Sequence, residues 1–415
     1  MTNAGEDQEF SLRGIAVAAF GPAVLFGVSQ GAMLPVVAIS AVERGASLAV
    51  ASLVVSLIGI GAIASNIPAG ILTTRFGERR SMVAAAVITA AGLGLCVADV
   101  GLWLFSVGIL LVGCASAVFN LARQSYLTVA VPAHMRARAM STLGGTQRIG
   151  VFVGPFLGAG MLHLMGLRGA YLLATVAVLA AGVIAYTVPD LDEPVDAHDP
   201  ASPVTTAGML RVHWRTYAFL GFGVFLLSAI RGTRQVVVPL WAHHLGLSAA
   251  DSSIIYGIAG VVDALMFYPS GKVMDHYGRK WIAVPSCLIM GLSFVLVPLT
   301  HGPVLLAAVA MVMGLGNGAG SGIINTLGAD VAPATGRLTF LGIWREMADA
   351  GQGIGPVILS VVTSLATLAA GIVVSGLVGF AAAAALWRWI PKRVAGVPMV
   401  RPRRPEPADD RQVRR

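Results

Sequence analysis

Charged residues are scarce in this sequence. Asp, Glu, Lys and Arg together make up 12% of the 415 residues, about half the share found in soluble domains. Hydrophobic residues make up 56%, and glycine contributes 50 residues more. This composition leaves too little polar surface to cover a water-soluble globule of this size. It therefore argues against a soluble enzyme and against a disordered chain.

Cysteines and metal-binding patterns are also rare. The three cysteines, Cys96, Cys114 and Cys287, lie in apolar stretches without the spacing of a metal or redox site, which argues against a disulfide-rich secreted domain. The eight histidines fall in loops or at the ends of apolar runs, without zinc-ligand spacing. The absence of a Walker lysine motif argues against an ATP-driven pump. We therefore expect no metal, no cofactor and no enzymatic activity.

Long apolar runs are what the sequence has in abundance. Twelve of them are long enough to cross a bilayer, a distance that takes about 20 helical residues. Because eleven more runs follow the first, the first is not a cleaved signal peptide. The runs fall at roughly 14–40, 48–72, 82–98, 102–128, 141–163, 170–188, 216–240, 252–274, 282–300, 303–329, 340–362 and 366–388.

The distribution of basic residues predicts the orientation. With both termini inside, cytoplasmic segments hold 20 of the 28 Lys and Arg residues, whereas the outer loops hold only Arg44 and Arg168. Such a bias sets the orientation of membrane proteins, so we expect a multi-pass protein of the plasma (inner) membrane with both termini cytoplasmic. The basic tail at 391–415 is the main source of the net charge of +8. Its expected partner is anionic lipid headgroups rather than nucleic acid.

An internal repeat is the strongest structural signal. Adding 201 to a first-half position repeatedly gives the same residue type, as for Pro68 and Pro269. The sequence thus predicts an all-α integral membrane protein with twelve transmembrane helices in two six-helix bundles. These bundles lie at 1–188 and 216–390, joined by an acidic, proline-containing linker at 189–215 that we expect to be flexible. Transporters place substrate sites at such repeat interfaces.

A short motif occurs at equivalent turns, after the second and the eighth apolar runs. Glycine permits a tight turn there, and the basic residues stay on the positive side of the membrane. Thr74 stands in the first copy where the second copy has an acid, and His276 stands in the second copy where the first has arginine. The motif residues are Gly70, Arg75, Gly77 and Arg79 in the first copy, and Gly271, Asp275, Gly278 and Arg279 in the second.

Over essentially its whole length the chain resembles the major facilitator superfamily. That family carries Gly-x-x-x-Asp-Arg-x-Gly-Arg/Lys-Arg/Lys between its second and third helices. The resemblance implies the fold of two six-helix bundles and a cytoplasmic gate at these turns that opens and closes during transport. Thr74 departs from the acid of the family motif.

The fifth apolar run carries Gly150, Gly154, Pro155 and Gly158, which resemble the antiporter motif of the drug:proton antiporter (multidrug efflux) branch. Glycines four residues apart also give a smooth face for helix packing, so generic packing is the alternative interpretation. The resemblance favours export over uptake. The fourth run lacks the arginine that this branch carries before its glycine. Arg123 lies later in that run, and we expect it to snorkel to the cytoplasmic surface.

A run of alternating glycines extends from Gly314 to Gly322 in the tenth apolar run. Glycine-rich segments that bind phosphates follow a soluble strand, and this one does not. We therefore interpret the run as part of an apolar helix and not as a nucleotide site.

Polar residues inside the apolar runs are candidate substrate ligands, because a charge at the membrane centre costs about 2.5–3.5 kcal/mol on insertion scales. Arg231 and Arg234 share one helix face, and Asp263 lies at a similar depth, so an Arg231–Asp263 salt bridge competes with a substrate role. The excess of arginine over carboxylate suits an anionic or zwitterionic substrate. The residues that we predict to bind substrate are Gln30, Gln147, Arg148, Arg231 and Arg234.

Three acids within the second-half runs are predicted to carry protons, namely Glu346, Asp263 and Asp349. Burial and a like-charged neighbour both favour a protonated carboxyl group. Glu346 ranks first because Asp349 lies three residues away on the same helix, whereas Asp349 is expected to pair with Arg345. The first half has no acid within any run, so proton coupling is expected in the second half.

The function predicted from these features is proton-coupled export of a small amphipathic or anionic organic compound. We expect a monomer that alternates access around a cavity lined by the first, fifth, seventh, eighth and eleventh runs. Uptake of an anionic metabolite is the alternative among transporters. A non-transporting membrane receptor or scaffold is the alternative from another class, but it would need a large soluble domain, and the longest linker has about 27 residues.

Overall fold

The computed structural model describes residues 16–98, 101–131, 136–187, 205–333 and 335–391. Within these residues the regular structure is helical throughout. The first half contains six long helices: α1 (Ala16–Glu43), α2 (Leu48–Phe76), α3 (Glu78–Val97), α4 (Gly101–Ala130), α5 (Arg136–Met165) and α6 (Leu167–Thr187).

The second half begins with a short helix, α7 (Thr206–Val212), which lies inside the segment predicted as a flexible linker. The earlier part of that linker and the basic tail beyond 391 lie outside the described residues. A π-helical turn at Thr216–Gly221 continues directly into α8. The remaining helices are α8 (Phe222–His244), α9 (Ala249–Tyr277), α10 (Lys280–Leu296, followed by a 3₁₀ turn), α11 (Pro303–Ala319), α12 (Ile323–Val331), α13 (Arg337–Leu365) and α14 (Leu368–Trp389).

Each predicted apolar run corresponds to one long helix, except the tenth. The prediction of an uninterrupted helix is wrong there, because the chain is broken between α11 and α12 at residues 320–322. Glycine is about 1 kcal/mol less favourable than alanine inside a helix. The alternating glycines from Gly314 to Gly322 therefore account for the break.

The membrane character of the fold follows from the length and composition of its helices. Eleven helical segments among the described residues are long and apolar enough to cross a membrane. The twelfth, α13, has 29 residues but carries Arg345, Glu346 and Asp349 in its middle. The predicted fold class, all-α with twelve transmembrane helices in two bundles, is confirmed.

Glycine seams hold the helices of each half together. Gly150 and Gly154 of α5 lie so close to the backbone of α1 that a Cβ on either would collide with it, and Gly158 faces the same helix. The equivalent glycines of α13, Gly351 and Gly355, lie in the same way against the backbone of α8. The spacing of four residues therefore serves close helix packing in both halves.

Two equivalent interfaces join the halves, since α2 packs against α13 and α5 packs against α9. A Cβ on Gly59 would lie 2.8 Å from the Cα of Gly353, whereas a Cβ on Gly260 would lie 3.4 Å from the Cβ of Phe152. Both pairs are related by the offset of 201 residues. The α2–α13 interface is thus the tighter of the two, because glycine meets glycine there.

Candidate functional site

A polar cavity of about 320 Å³ lies between the two halves. Helices α1, α2 and α4 line it from the first half, and α8 and α13 line it from the second. Of the five helices predicted to line the cavity, α1, α8 and α13 do so. The other two predicted helices, α5 and α9, do not line it, and α2 and α4 line it instead. The phenyl ring of Phe156 lies on Gly257 where α5 meets α9, so these two helices pack on each other. The polar residues of the cavity are Gln30, Asn66, Ser116, Asn120, Gln235, Arg345, Glu346, Asp349 and Gln352.

Two carboxyl groups of α13 enter this cavity. The amide nitrogen of Asn66 donates to Oδ2 of Asp349 at 3.2 Å, which joins α2 to α13 across the halves. Asn66 also lies close to Glu346. The predicted pair of Arg345 and Asp349 is present, with 3.9 Å between Nε and Oδ2. Asp349 therefore lies between a neutral donor of the opposite half and a cation of its own helix.

The cavity continues towards two arginines of opposite halves. Arg345 donates from Nη1 to Oε1 of Gln124 in α4 at 3.2 Å. The neighbouring Arg123 is only 3% exposed, so the prediction that it snorkels to the surface is wrong. It donates to Asn120 at 3.0 Å and to Gln147 at 2.8 Å. These two acceptors explain how α4 keeps an arginine inside the bundle, and they show Gln147 in contact with Arg123.

A second polar cluster surrounds Asp263 in α9. Arg234 Nη1 lies 3.0 Å from Asp263 Oδ2, and Asn317 of α11 donates to the same oxygen. The predicted salt bridge of Asp263 with Arg231 is thus wrong in its partner, because Arg234, three residues further along α8, holds the carboxylate. Arg148 and Arg231 interact with Asp263 electrostatically. The cluster therefore brings three arginines around one described carboxylate.

The predicted gate residues lie at the two sharp turns. Gly77 and Gly278 have φ angles of 81° and 95°, which only glycine adopts without strain. Arg279 holds both carboxylate oxygens of Asp330 in α12, at 2.7 and 3.3 Å. Arg79 lies 4.4 Å from the ring centre of Tyr186.

The other gate residues are less closely surrounded. The guanidinium of Arg75 lies 5.6 Å from the ring centre of Phe76. Gly70 and Gly271 face open space among the described residues, since no atom lies within 4 Å of an added Cβ. Asp275 lies in α9, but its side chain is outside what the structure describes.

Pro155 lies within α5, where its ring contacts Gly31 of α1. Gln30, one residue earlier in α1, donates to Ser116 in α4 at 3.4 Å. The antiporter-like motif of α5 thus packs against the part of α1 that carries the cavity residue Gln30.

Comparison with known proteins assigns this architecture to a family. The model of the Major Facilitator Superfamily matches the chain twice, over residues 19–230 and 220–414. The chain is 24% identical over 300 residues to "Multidrug resistance protein MdtH" of Shigella boydii, a match that covers 69% of this chain and 70% of that protein. It is also 24% identical over 289 residues to a "Na(+), Li(+), K(+)/H(+) antiporter" of Planococcus maritimus, with 62% and 68% covered.

A solved structure supports the same fold. The crystal structure of a D-xylose-proton symporter superposes with a TM-score of 0.71 at 18% sequence identity, covering 92% of this chain and 98% of that one. At this identity the likeness establishes the arrangement of helices and not the substrate.

Proposed function

Because this chain belongs to the Major Facilitator Superfamily, we propose that it is a proton-coupled secondary transporter working by alternating access. It is a multi-pass membrane protein and a transporter rather than an enzyme. The observation that carries the proposal is the polar cavity between the halves, in which the Asn66–Asp349 hydrogen bond joins α2 to α13. An ionisable group at this interface lets a proton change the contact between two halves that move against each other.

Proton coupling is assigned to the acids of the second half. An ionised Asp349 accepts from Asn66 and attracts Arg345, whereas a protonated Asp349 loses the attraction to Arg345 and holds Asn66 less strongly. Glu346 lies close to the same asparagine, and a proton on either acid weakens the attraction across the α2–α13 interface. We place Glu346 first in the order of protonation because the described ion pair of Arg345 belongs to Asp349. Asp263 is the third proposed carrier.

The proposed substrate is a small amphipathic or anionic organic compound. A cavity of about 320 Å³ is at the small end of the range of ligand pockets, about 300–1,000 Å³. Its polar lining includes neutral amides that orient a ligand, together with Arg345 and the two acids Glu346 and Asp349. The proposed substrate-binding residues are Gln30, Gln147, Arg148, Arg231 and Arg234.

Export is the proposed direction. The residues Gly150, Gly154, Pro155 and Gly158 resemble the antiporter motif of exporters, and one relative is named a multidrug resistance protein. We further propose that the protein is a monomer of the plasma membrane with both termini in the cytoplasm. In this orientation the gate turns are cytoplasmic, and the tail at 391–415 lies against anionic lipid headgroups.

The experiment is transport by the purified full chain in proteoliposomes. Small carboxylates and lipophilic cations that raise its Tm are supplied outside in radiolabelled form. An exporter that exchanges substrate for protons accumulates the compound when the vesicle interior is acidic, and a protonophore abolishes the accumulation. Accumulation only with acid outside would instead indicate uptake by symport. Accumulation that ignores both gradients contradicts proton coupling.

A further inference from the structure

Arg231 is a half-buried arginine whose guanidinium has a buried edge suited to an anion. Its Nε and Nη2 atoms are buried and have no hydrogen-bond partner among the described residues. These two atoms form one edge of the guanidinium group. Elsewhere in the chain Arg279 uses the same edge to hold both carboxylate oxygens of Asp330, at 2.7 and 3.3 Å. The edge of Arg231 has the same chemistry.

The internal repeat explains why the Nε–Nη2 edge of Arg231 has no acceptor in the described part of the chain. Its equivalent in the first half is Gln30, 201 residues earlier, and Gln30 donates to Ser116 at 3.4 Å. The equivalent of Ser116 is Asn317, which donates to Asp263 instead. The other arginine of α8 also donates to Asp263, at 3.0 Å. The carboxylate of Asp263 therefore already accepts hydrogen bonds from two donors, Arg234 and Asn317.

The guanidinium of Arg231 packs against one of the alternating glycines of the tenth apolar run, Gly320. A Cβ on Gly320 would lie 2.8 Å from Nη2 of Arg231 and closer still to Oγ of Ser286, so the guanidinium and this serine both pack against the glycine. Gly320 lies in the break between α11 and α12. Beside it, Ser286 of α10 donates to the carbonyl oxygen of Gly316 at 2.6 Å. The charged edge thus faces an interrupted helix, an element that transporters use at their substrate sites.

We propose that Arg231 binds a carboxylate group of the transported compound, beside the break between α11 and α12. The proposal rests on the transport function given above and adds the chemical class of the substrate and its anchor. Gln235 lines the central cavity and lies one helical turn after Arg231 on the same face of α8. Arg231 itself lies outside the lining of the cavity, so the bound compound extends one acidic group past Gln235 towards it. Because Nε and Nη2 are covered in this conformation, the contact forms when the break opens.

Electrostatics favours a carboxylate over the other ligand classes. A guanidinium without a partner is costly to bury, and a carboxylate forms two charge-assisted hydrogen bonds with its Nε–Nη2 edge. Arg148, Arg231 and Arg234 surround one described carboxylate, Asp263, so a lipophilic cation would meet an excess of positive charge. The site therefore selects for negative charge.

The test is ligand binding to the purified full chain, followed as a change of Tm at one pH. The probes are acetate, benzoate and decanoate, each compared with its uncharged amide. We expect at least one carboxylate, but not its amide, to raise the Tm. Arg231→Gln should weaken that binding about tenfold to a hundredfold. The control Arg388→Gln, at an exposed position near the end of α14, should bind as the unchanged chain does.

Arg231→Lys keeps the positive charge but cannot form two parallel hydrogen bonds to a carboxylate. It is the second variant to be tested, in case Arg231→Gln does not fold. It should also weaken carboxylate binding. Equal stabilisation of the unchanged chain and both variants overturns the proposal, and so does a lack of stabilisation by all three carboxylates. Since no proton gradient is applied, either result leaves proton-driven transport of another compound class standing. Conversely, a chain that binds carboxylate but does not transport it contradicts only the proposed function.

Discussion

Asn66 and Asp349 join the two halves of the protein, because the amide of Asn66 in α2 donates to the carboxylate of Asp349 in α13 at 3.2 Å. The repeat equivalent of Asp349 is Arg148, 201 residues earlier. Arg148 in α5 interacts electrostatically with Asp263 in α9, on the other interface between the halves. The repeat thus places opposite charges, Arg148 and Asp349, at equivalent positions. Each of the two side chains interacts with a residue of the other half.

Replacing Asn66 by alanine should loosen the α2–α13 interface. A hydrogen bond to a charged group contributes about 1.5–3 kcal/mol, so amide hydrogen exchange in α2 and α13 near these residues should accelerate about tenfold or more. Hydrogen–deuterium exchange of the purified protein measures this effect. Asn120→Ala is the matched control, because Asn120 accepts its hydrogen bond from Arg123 of the same helix. Equal acceleration in both variants would show that the Asn66 contact does not hold the halves together.

Arg231 and Arg234 are three residues apart on α8 but should differ in their effect on stability. Arg234→Gln breaks the buried pair with Asp263, and removing one partner of such a pair costs about 3–5 kcal/mol. Arg231→Gln removes a cation without a described hydrogen-bond acceptor on its Nε–Nη2 edge, so Tm should stay unchanged or rise. Thermal unfolding in detergent compares the two. A larger loss of Tm for Arg231→Gln than for Arg234→Gln would mean that the pairing is assigned to the wrong arginine.

Valine at Gly154 should destabilise the first half. The added side chain would meet the backbone of Val28 and Ala32 in α1, and overpacking of this kind costs about 1–3 kcal/mol. Gly94→Val is the matched control, because the described structure has nothing within 4 Å of a Cβ at Gly94. The measurement is again Tm in detergent. Equal Tm values for the two variants would contradict the role of the glycine seam in packing.

The helices and the repeat could be predicted from the sequence for a simple physical reason. Bilayer thickness forces long apolar runs, and a repeated fold keeps its prolines and glycines where the backbone needs them, as at Gly77 and Gly278. The break at Gly320 was not predicted, although the alternating glycines signal it. Mean hydropathy hides such a break, because glycine is neither strongly polar nor strongly apolar.

The site was less accessible, because partner choice depends on side-chain direction. Sequence spacing gives Arg231 and Arg234 the same depth relative to Asp263, and only the packing of α8 against α9 decides between them. Asn66 was missed because a neutral amide in an apolar run carries no charge signal, even though it touches both acids of the cavity. Arg123 was misjudged because its acceptor Gln147 comes from another helix.

The central claim is that the acids of α13 couple protons to transport. The measurement that tests it most directly is proton movement out of proteoliposomes, reported by a pH dye inside them when a compound that the chain binds is added outside. The unchanged chain and the control Arg388→Gln should release protons from the vesicles in exchange for the compound that enters. Glu346→Gln should exchange the compound without moving protons. Unchanged proton movement in Glu346→Gln would contradict the assignment.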